Sequence, residues 1–281
     1  MDELIHLDRN GRWNEDTVWR ERVEPLMREV SQHLRGIFQY GFTEMLNNVI
    51  DHSGSPDVLI TYTQTYTTIR FMIIDHGISI FEKIRSDFKL DDARTSLLEL
   101  SKGKLTSDKR NHSGESIYFT SRMFNRFTIM SGHLSYARTT KDGDDWIIET
   151  VDKENATAGT SVSLTLDTSA NWTRREVFEK YQGDDIFFRK THVPVSLGRY
   201  PGEQLVSRSQ AKRILARFPD FSEVLLDFEG VPEIGQAFAD EIFRVFRNAH
   251  PETELVVMSA NESIKKMIQH VTENRGIAGP D

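Results

Sequence analysis

Near its start the chain carries apolar residues at helical spacing. From Glu15 to Asp51 apolar residues recur as Val18, Val23, Leu26, Met27 and Val30 and continue through FTEMLNNVIDH, the pattern of helices with one buried face. It predicts two helices with a break near Gly36 to Gly41, the second stopping at the breaker cluster Ser53-Gly54-Ser55-Pro56. The period then changes. VLITYTQT and TTIRFMIID are rich in β-branched and aromatic residues and lie close enough to form a hairpin. The polar stretch from Ser86 to Ser113 lacks strong periodicity and reads as a long mobile segment with a short helix at ARTSLLEL. A loop of that length inside a domain is usually functional or disordered. A helix follows at GESIYFTSRMFN, then strands at RFTIMSG, HLSYART, DWIIETV and TSVSLTL, separated by Gly, Asp and Asn turns. This region predicts a layered α/β arrangement of hairpin-linked, mostly antiparallel strands. Strands and helices do not alternate strictly, which argues against a Rossmann-type sheet.

The pattern shifts again at Asp167 to Gly183, a polar, helix-prone stretch. From about residue 184 strand and helix do alternate: IFFRKTHVPVSL, EQLVSRSQAKRILARF, EVLLDF, GQAFADEIFRVFRNA, ELVVMS and NESIKKMIQHV. This predicts a separate small α/β domain with partly parallel pairing. The expected division is a first domain over 1–170, a linker over 171–183 and a second domain over 184–281.

Composition narrows the classes. The chain has 281 residues, which at roughly 150 residues per domain favours two. It has no cysteine, so a disulfide scaffold, a thiolate nucleophile and any cysteine-bound metal are excluded. The formal charge is −8, from 35 basic and 43 acidic residues. That counts against a general nucleic-acid binder, which would be basic. The opening MDELIHLDRNGRW is acidic and polar, unlike a signal peptide. The longest apolar runs are far too short to span a bilayer. The expectation is a soluble cytoplasmic protein with no membrane partner.

No GxxxxGK[ST], GxSxG or HExxH motif occurs, and the nine histidines are scattered. Four weaker signals remain. Glu44 and Asn48 stand four apart on one helix and so share a face. A carboxylate there can orient or deprotonate a nucleophile, and an amide oxygen one turn on can ligate Mg²⁺. The same spacing also suits the polar side of an ordinary amphipathic helix. Asp75-His76-Gly77 ends an apolar strand; the aspartate can accept from an amino group, or the segment is simply a strand-ending turn. Asn111-His112-Ser113-Gly114-Glu115-Ser116 leads into a helix, whose free N–H groups favour phosphate, although Ser113 can equally be a plain helix cap. Gly159-Thr160 opens an apolar strand and alone marks only a turn.

Taken in order, these four signals with the long polar segment between them resemble the GHKL ATP-binding superfamily, over residues of about 15 to 167. That superfamily includes gyrase B, histidine kinases, MutL and bacterial anti-sigma-factor kinases. The resemblance implies a Bergerat fold, a two-layer α/β sandwich with a mostly antiparallel sheet, binding ATP with Mg²⁺. It implies Glu44 as general base or orienter of the attacking group, Asn48 as Mg²⁺ ligand, and Asp75 as partner of the adenine amino group. Gly77 would give room beside the base, Gly114 would offer its N–H to phosphate, and Thr160 would close the adenine pocket. Asp51 matches an aspartate of the gyrase and MutL branches and takes a secondary place near the nucleotide. The chain departs from the family at Ser79, where a second glycine is usual, and at the phosphate loop, reduced to Gly114 beside Ser113. Lys109, Arg110 and His112 could supply phosphate contacts as charges or be a solvated loop.

The second domain resembles the STAS fold of anti-sigma-factor antagonists over residues 223–246. In switchable antagonists a phosphorylatable serine follows the strand. Here the turn is Pro232-Glu233-Ile234-Gly235-Gln236-Ala237, with no hydroxyl, so phosphorylation at that place has no nucleophile. The resemblance implies an interaction module with a protein partner and leaves a homodimer open. Three functions follow: a slow ATPase whose nucleotide state controls the segment at 86–113 and the STAS-like domain, a serine kinase of a partner chain, or a nucleotide-binding scaffold without turnover.

Overall fold

Residues 1–8, 14–105, 115–140, 145–149, 157–182, 189–200 and 202–273 are described by the computed structural model. The chain divides into two units, Met1–Lys180 and Tyr181–Asp281.

The first unit contains β1 (Asp2–Asp8), α1 (Glu15–Val18), α2 (Gln32–Asn48), β2 (Asp57–Gln64), β3 (Thr68–Asp75), α3 (Ile80–Phe88), α4 (Ala93–Lys102), α5 (Ser116–Met123), β4 (Arg126–Gly132), β5 (Leu134–Thr139), β6 (Asp145–Glu149), β7 (Thr157–Asp167) and α6 (Arg174–Gln182). The strands form one sheet in the order β1-β2-β3-β7-β4-β5-β6. Each neighbouring pair is antiparallel, in keeping with the expected sheet. The last strand, β7, lies between β3 and β4 and so brings distant parts of the chain together at the middle of the sheet.

Helix α2 buries Leu34, Ile37, Phe38, Gly41, Phe42, Met45 and Leu46, the three-and-four spacing of an amphipathic helix. The expected break at Gly36 to Gly41 is not there. The helix runs through both glycines, and the chain breaks earlier, over residues 28–31. Gly41 is explained by packing: a Cβ on it would sit 2.5 Å from Cε2 of Phe124, so its bareness lets that ring reach the helix. Phe38 meets both Phe71 and Phe124 edge-on at 5.2 and 5.1 Å, and Phe42 and Tyr62 also pack on Phe71. These rings join α2 to the sheet.

Two elements are additional to the expected ones. The acidic opening of the chain is edge strand β1, in which only Ile5 and Leu7 point inward. The polar stretch after Asp75 begins with α3, of which only Phe81 is buried. Part of the predicted mobile segment is therefore helical, and ARTSLLEL is indeed a helix, α4, capped by the Asp92 side chain. The stretch read as a linker contains α6, whose Phe178 packs on Tyr40 and Phe119.

The second unit contains β8 (Lys190–Pro194), α7 (Arg208–Leu215), β9 (Glu223–Asp227), α8 (Gln236–Asp240), α9 (Arg247–Ala249), β10 (Glu254–Met258) and α10 (Glu262–Glu273). Its three strands are parallel in the order β10-β9-β8, with helices in the crossovers as parallel pairing requires. A capping box at Ser207 and Gln210 starts α7. No helix among the described residues is long and apolar enough to cross a membrane.

Candidate functional site

The site starts from strand alternation. On β3, Ile69, Phe71, Ile73 and Asp75 are buried on one face. On β7 the matching positions are Leu166, Leu164, Val162 and Thr160, and on β4 they include Phe127, Ile129 and Ser131. Register aligns them in rows: Phe71–Leu164–Phe127, then Ile73–Val162–Ile129, then Asp75–Thr160–Ser131. Two apolar rows therefore give way to a polar one at the end of the sheet.

That polar row is tightly built. Ser131 Oγ donates to the Gly159 carbonyl at 2.6 Å and lies 3.0 Å from Thr160 Oγ1 and 2.9 Å from Ser79 Oγ. The N–H of Ile80, at the start of α3, points at both Ser131 Oγ and Thr160 Oγ1, each 3.3 Å away. Ser79, standing where the resemblance leads one to expect glycine, thus ties the start of α3 to the sheet. Gly159 has φ +94°, and a Cβ on it would lie 2.0 Å from the Asp75 carbonyl oxygen. Asp75 itself is 3% exposed. Its Oδ1 accepts from the N–H of Gly77 at 2.9 Å. Burial pushes its carboxyl above the ordinary range, while the N–H groups of Gly77 and Thr160 and nearby His76 pull it back.

A cavity of ≈ 150 Å³ opens over this row. One wall is α2 with Glu44, Met45 and Asn48, and the π-helical turn that continues it (Val49–Ser53) adds His52 and Ser53. The opposite wall is α3 with Ile80, Lys83, Ile84 and Asp87. Ser116 and Ile117 at the start of α5 close one side, and Asp75, Ile129, Thr160 and Val162 contribute from the sheet.

Four residues singled out from the sequence, Glu44, Asn48, Asp75 and Thr160, line this one cavity. The side-chain Nδ2 of Asn48 is buried with no hydrogen-bond partner among the described residues. Asp51 is exposed and Gly77 does not line the cavity. A Cβ on Gly77 would meet the Ser53 carbonyl oxygen at 2.1 Å, so a close backbone approach requires that glycine. Lys109, Arg110, His112, Ser113 and Gly114 lie outside the described residues.

Other residues of the site went unnoticed in the sequence. Tyr40 stands one turn before Glu44. Burial, then the charges of Glu44 and Glu115, drive its phenol well above its usual pKa, with Arg174 acting the other way. Lys83 and Asp87 belong to α3, whose polarity hid it. Ser131 shares the alternation of Phe127 and Ile129, a signal present in RFTIMSG, but its neighbours on β7 follow only from the strand order.

A family model described as a STAS-like domain of unknown function (DUF4325) matches residues 210–265. These residues run from α7 into α10, and the second unit is accordingly STAS-like. No curated protein matches the chain.

Proposed function

We propose that the first unit binds ATP with Mg²⁺ in this cavity, in the manner of the GHKL superfamily, and hydrolyses it slowly, so that nucleotide state is read out by the STAS-like unit. The observation that carries this reading is the convergence of Glu44, Asn48, Asp75 and Thr160, chosen from motif order alone, around a single cavity.

The chemistry of the lining fits. Asp75 is held by two backbone N–H groups at the closed, polar end, where its carboxylate can take a hydrogen bond from an exocyclic amino group of a purine, beside the hydroxyl of Thr160. Glu44 and Asn48 face the same space from α2. Their oxygens suit a hard cation, and the acidic lining of Glu44, Asp75 and Asp87 would repel a polyphosphate that arrived without one. Mg²⁺ held by Asn48 would neutralise phosphate charge. Glu44 then orients the attacking water and takes its proton. Tyr40, one turn before Glu44 on the same helix, keeps its phenol protonated beside that carboxylate.

Phosphate release and calorimetry test the reading together. Wild type is expected to bind ATP only with Mg²⁺ and to release phosphate, and Glu44→Ala to keep binding while losing turnover about a hundredfold or more. Equal release by both proteins would remove Glu44 from the chemistry. Tight binding with no turnover in wild type would leave a scaffold rather than an ATPase.

A further inference from the structure

Among the described residues lining the cavity, three are carboxylates, Glu44, Asp75 and Asp87, and one is a lysine or arginine, Lys83. Lys83 lies on α3, whose first N–H is fixed to the polar row through Thr160 and Ser131. Its Nζ pairs with Asp87 Oδ2 at 3.1 Å, one turn along the same helix. Both side chains are about one-third accessible, at 31% and 27%.

We propose that Lys83 binds the phosphate end of the nucleotide, and that its ion pair with Asp87 is a resting contact that the ligand displaces. This rests on the reading of the cavity as a nucleotide site and adds to it the group that recognises the anion. A helical pair that is about one-third exposed holds its partners weakly, so exchange of one anion for another costs little. A phosphate oxygen would offer Lys83 a charge-assisted bond that competes with the one to Asp87. Lysine is a compact charge on a flexible four-carbon stem, which suits a group that must change partners. In the resting state Asp87 screens Lys83, and a second anion in the cavity gives Lys83 a choice. The proposal assigns opposite effects to the two members of the pair: losing Lys83 weakens anion binding, and losing the charge of Asp87 strengthens it.

The test is calorimetry on the full chain with Mg-ATP, Mg-ADP and adenosine, comparing wild type, Lys83→Met and Asp87→Asn. Lys83→Met is expected to lose about tenfold or more in ATP affinity, less for ADP, and nothing for adenosine. Asp87→Asn is expected to bind ATP a few-fold tighter and adenosine unchanged. ATP affinity unaffected in Lys83→Met, or adenosine weakened as much as ATP, overturns the assignment. Should Lys83→Met fail to fold, Asp87→Asn decides alone, and unchanged or weaker ATP binding counts against the proposal. A wild type that binds neither ATP nor adenosine instead removes the nucleotide site itself, which the adenosine arm tells apart from the loss of Lys83 alone.

Discussion

Each unit ends a central strand in a buried aspartate, and the two aspartates behave oppositely. Asp75 closes β3 and is 3% exposed; Asp227 closes β9 and is 7% exposed. Asp227 receives His192 Nε2 at 2.9 Å, the N–H of Glu229 at 3.1 Å and the hydroxyl of Ser259. The bond from His192 is the main cause that holds its carboxyl below the ordinary range, against the effect of burial. Asp75 has backbone N–H groups for company, and burial dominates, raising it. One carboxylate is saturated by its own chain. The other is kept at the edge of a cavity with accepting capacity to offer. A residue at a strand end thus keeps open accepting capacity or loses it according to who else reaches it, and residue type with position does not distinguish the cases.

The comparison can be broken most severely at Gly159. Alanine there must adopt φ +94° and place its Cβ against the Asp75 backbone. Gly159→Ala should cost about 3 kcal/mol or more and pull β7 from β3 where Asp75 sits. Trp19 is buried in the first unit, Trp172 donates to the Met123 carbonyl there, and no tryptophan follows residue 172, so tryptophan fluorescence reports on the first unit. A urea midpoint by fluorescence that does not move would show the strand ends to be less tightly apposed than described.

Asp227→Asn comes next. It removes the charge that His192 meets in a largely buried place, and should lower the stability of the second unit by about 1 kcal/mol. Circular dichroism should register the change while tryptophan fluorescence does not. A variant as stable as wild type would mean that His192 contributes nothing through Asp227.

The smallest effect has the opposite sign. Asp75 has a folded-state pKa above its unfolded one, so it contributes most favourably below the unfolded value and less as pH rises through the folded value. Asp227 has a depressed folded pKa; its contribution is full above the unfolded value and fades as pH falls through the folded one. Without ligand, Asp75→Asn should therefore be more stable than wild type at pH 7, and the gain should shrink on acidification. Fluorescence-detected melts at pH 7 and at about pH 4, near the unfolded-state value of an aspartate, check this, and a constant difference would contradict the role given to burial.

How much of this was readable beforehand depended on whether the signal was local. The three-and-four spacing of α2 put Glu44 and Asn48 on one face without help from tertiary structure, and the apolar run of β3 put Asp75 at its end. The break expected at Gly36 to Gly41 failed because Gly41 answers to Phe124, a residue more than eighty positions away. Strand β1 was hidden because an edge strand buries only alternate positions, here Ile5 and Leu7, among acidic neighbours. Helix α3 was hidden for a similar reason, since Phe81 alone anchors it in the core. Ser131 required knowing that β7 inserts beside β4, which no local pattern states. In the second unit, strict strand–helix alternation carried the reading, because each parallel crossover needs its own helix.

The row Asp75–Thr160–Ser131 joins residues drawn from three separate stretches of the chain. Nothing short of a completed sheet can assemble it, since each member arrives with a different strand and the closing strand, β7, is the last of the unit to be synthesised. Contacts of such long sequence separation form late and slowly. A chain halted before β7 could already possess the helix bearing Glu44 and Asn48, yet it would lack the polar row that floors the cavity. Occupancy of the cavity would then serve as a gauge of finished folding, and a ligand added during refolding should act only on the final step.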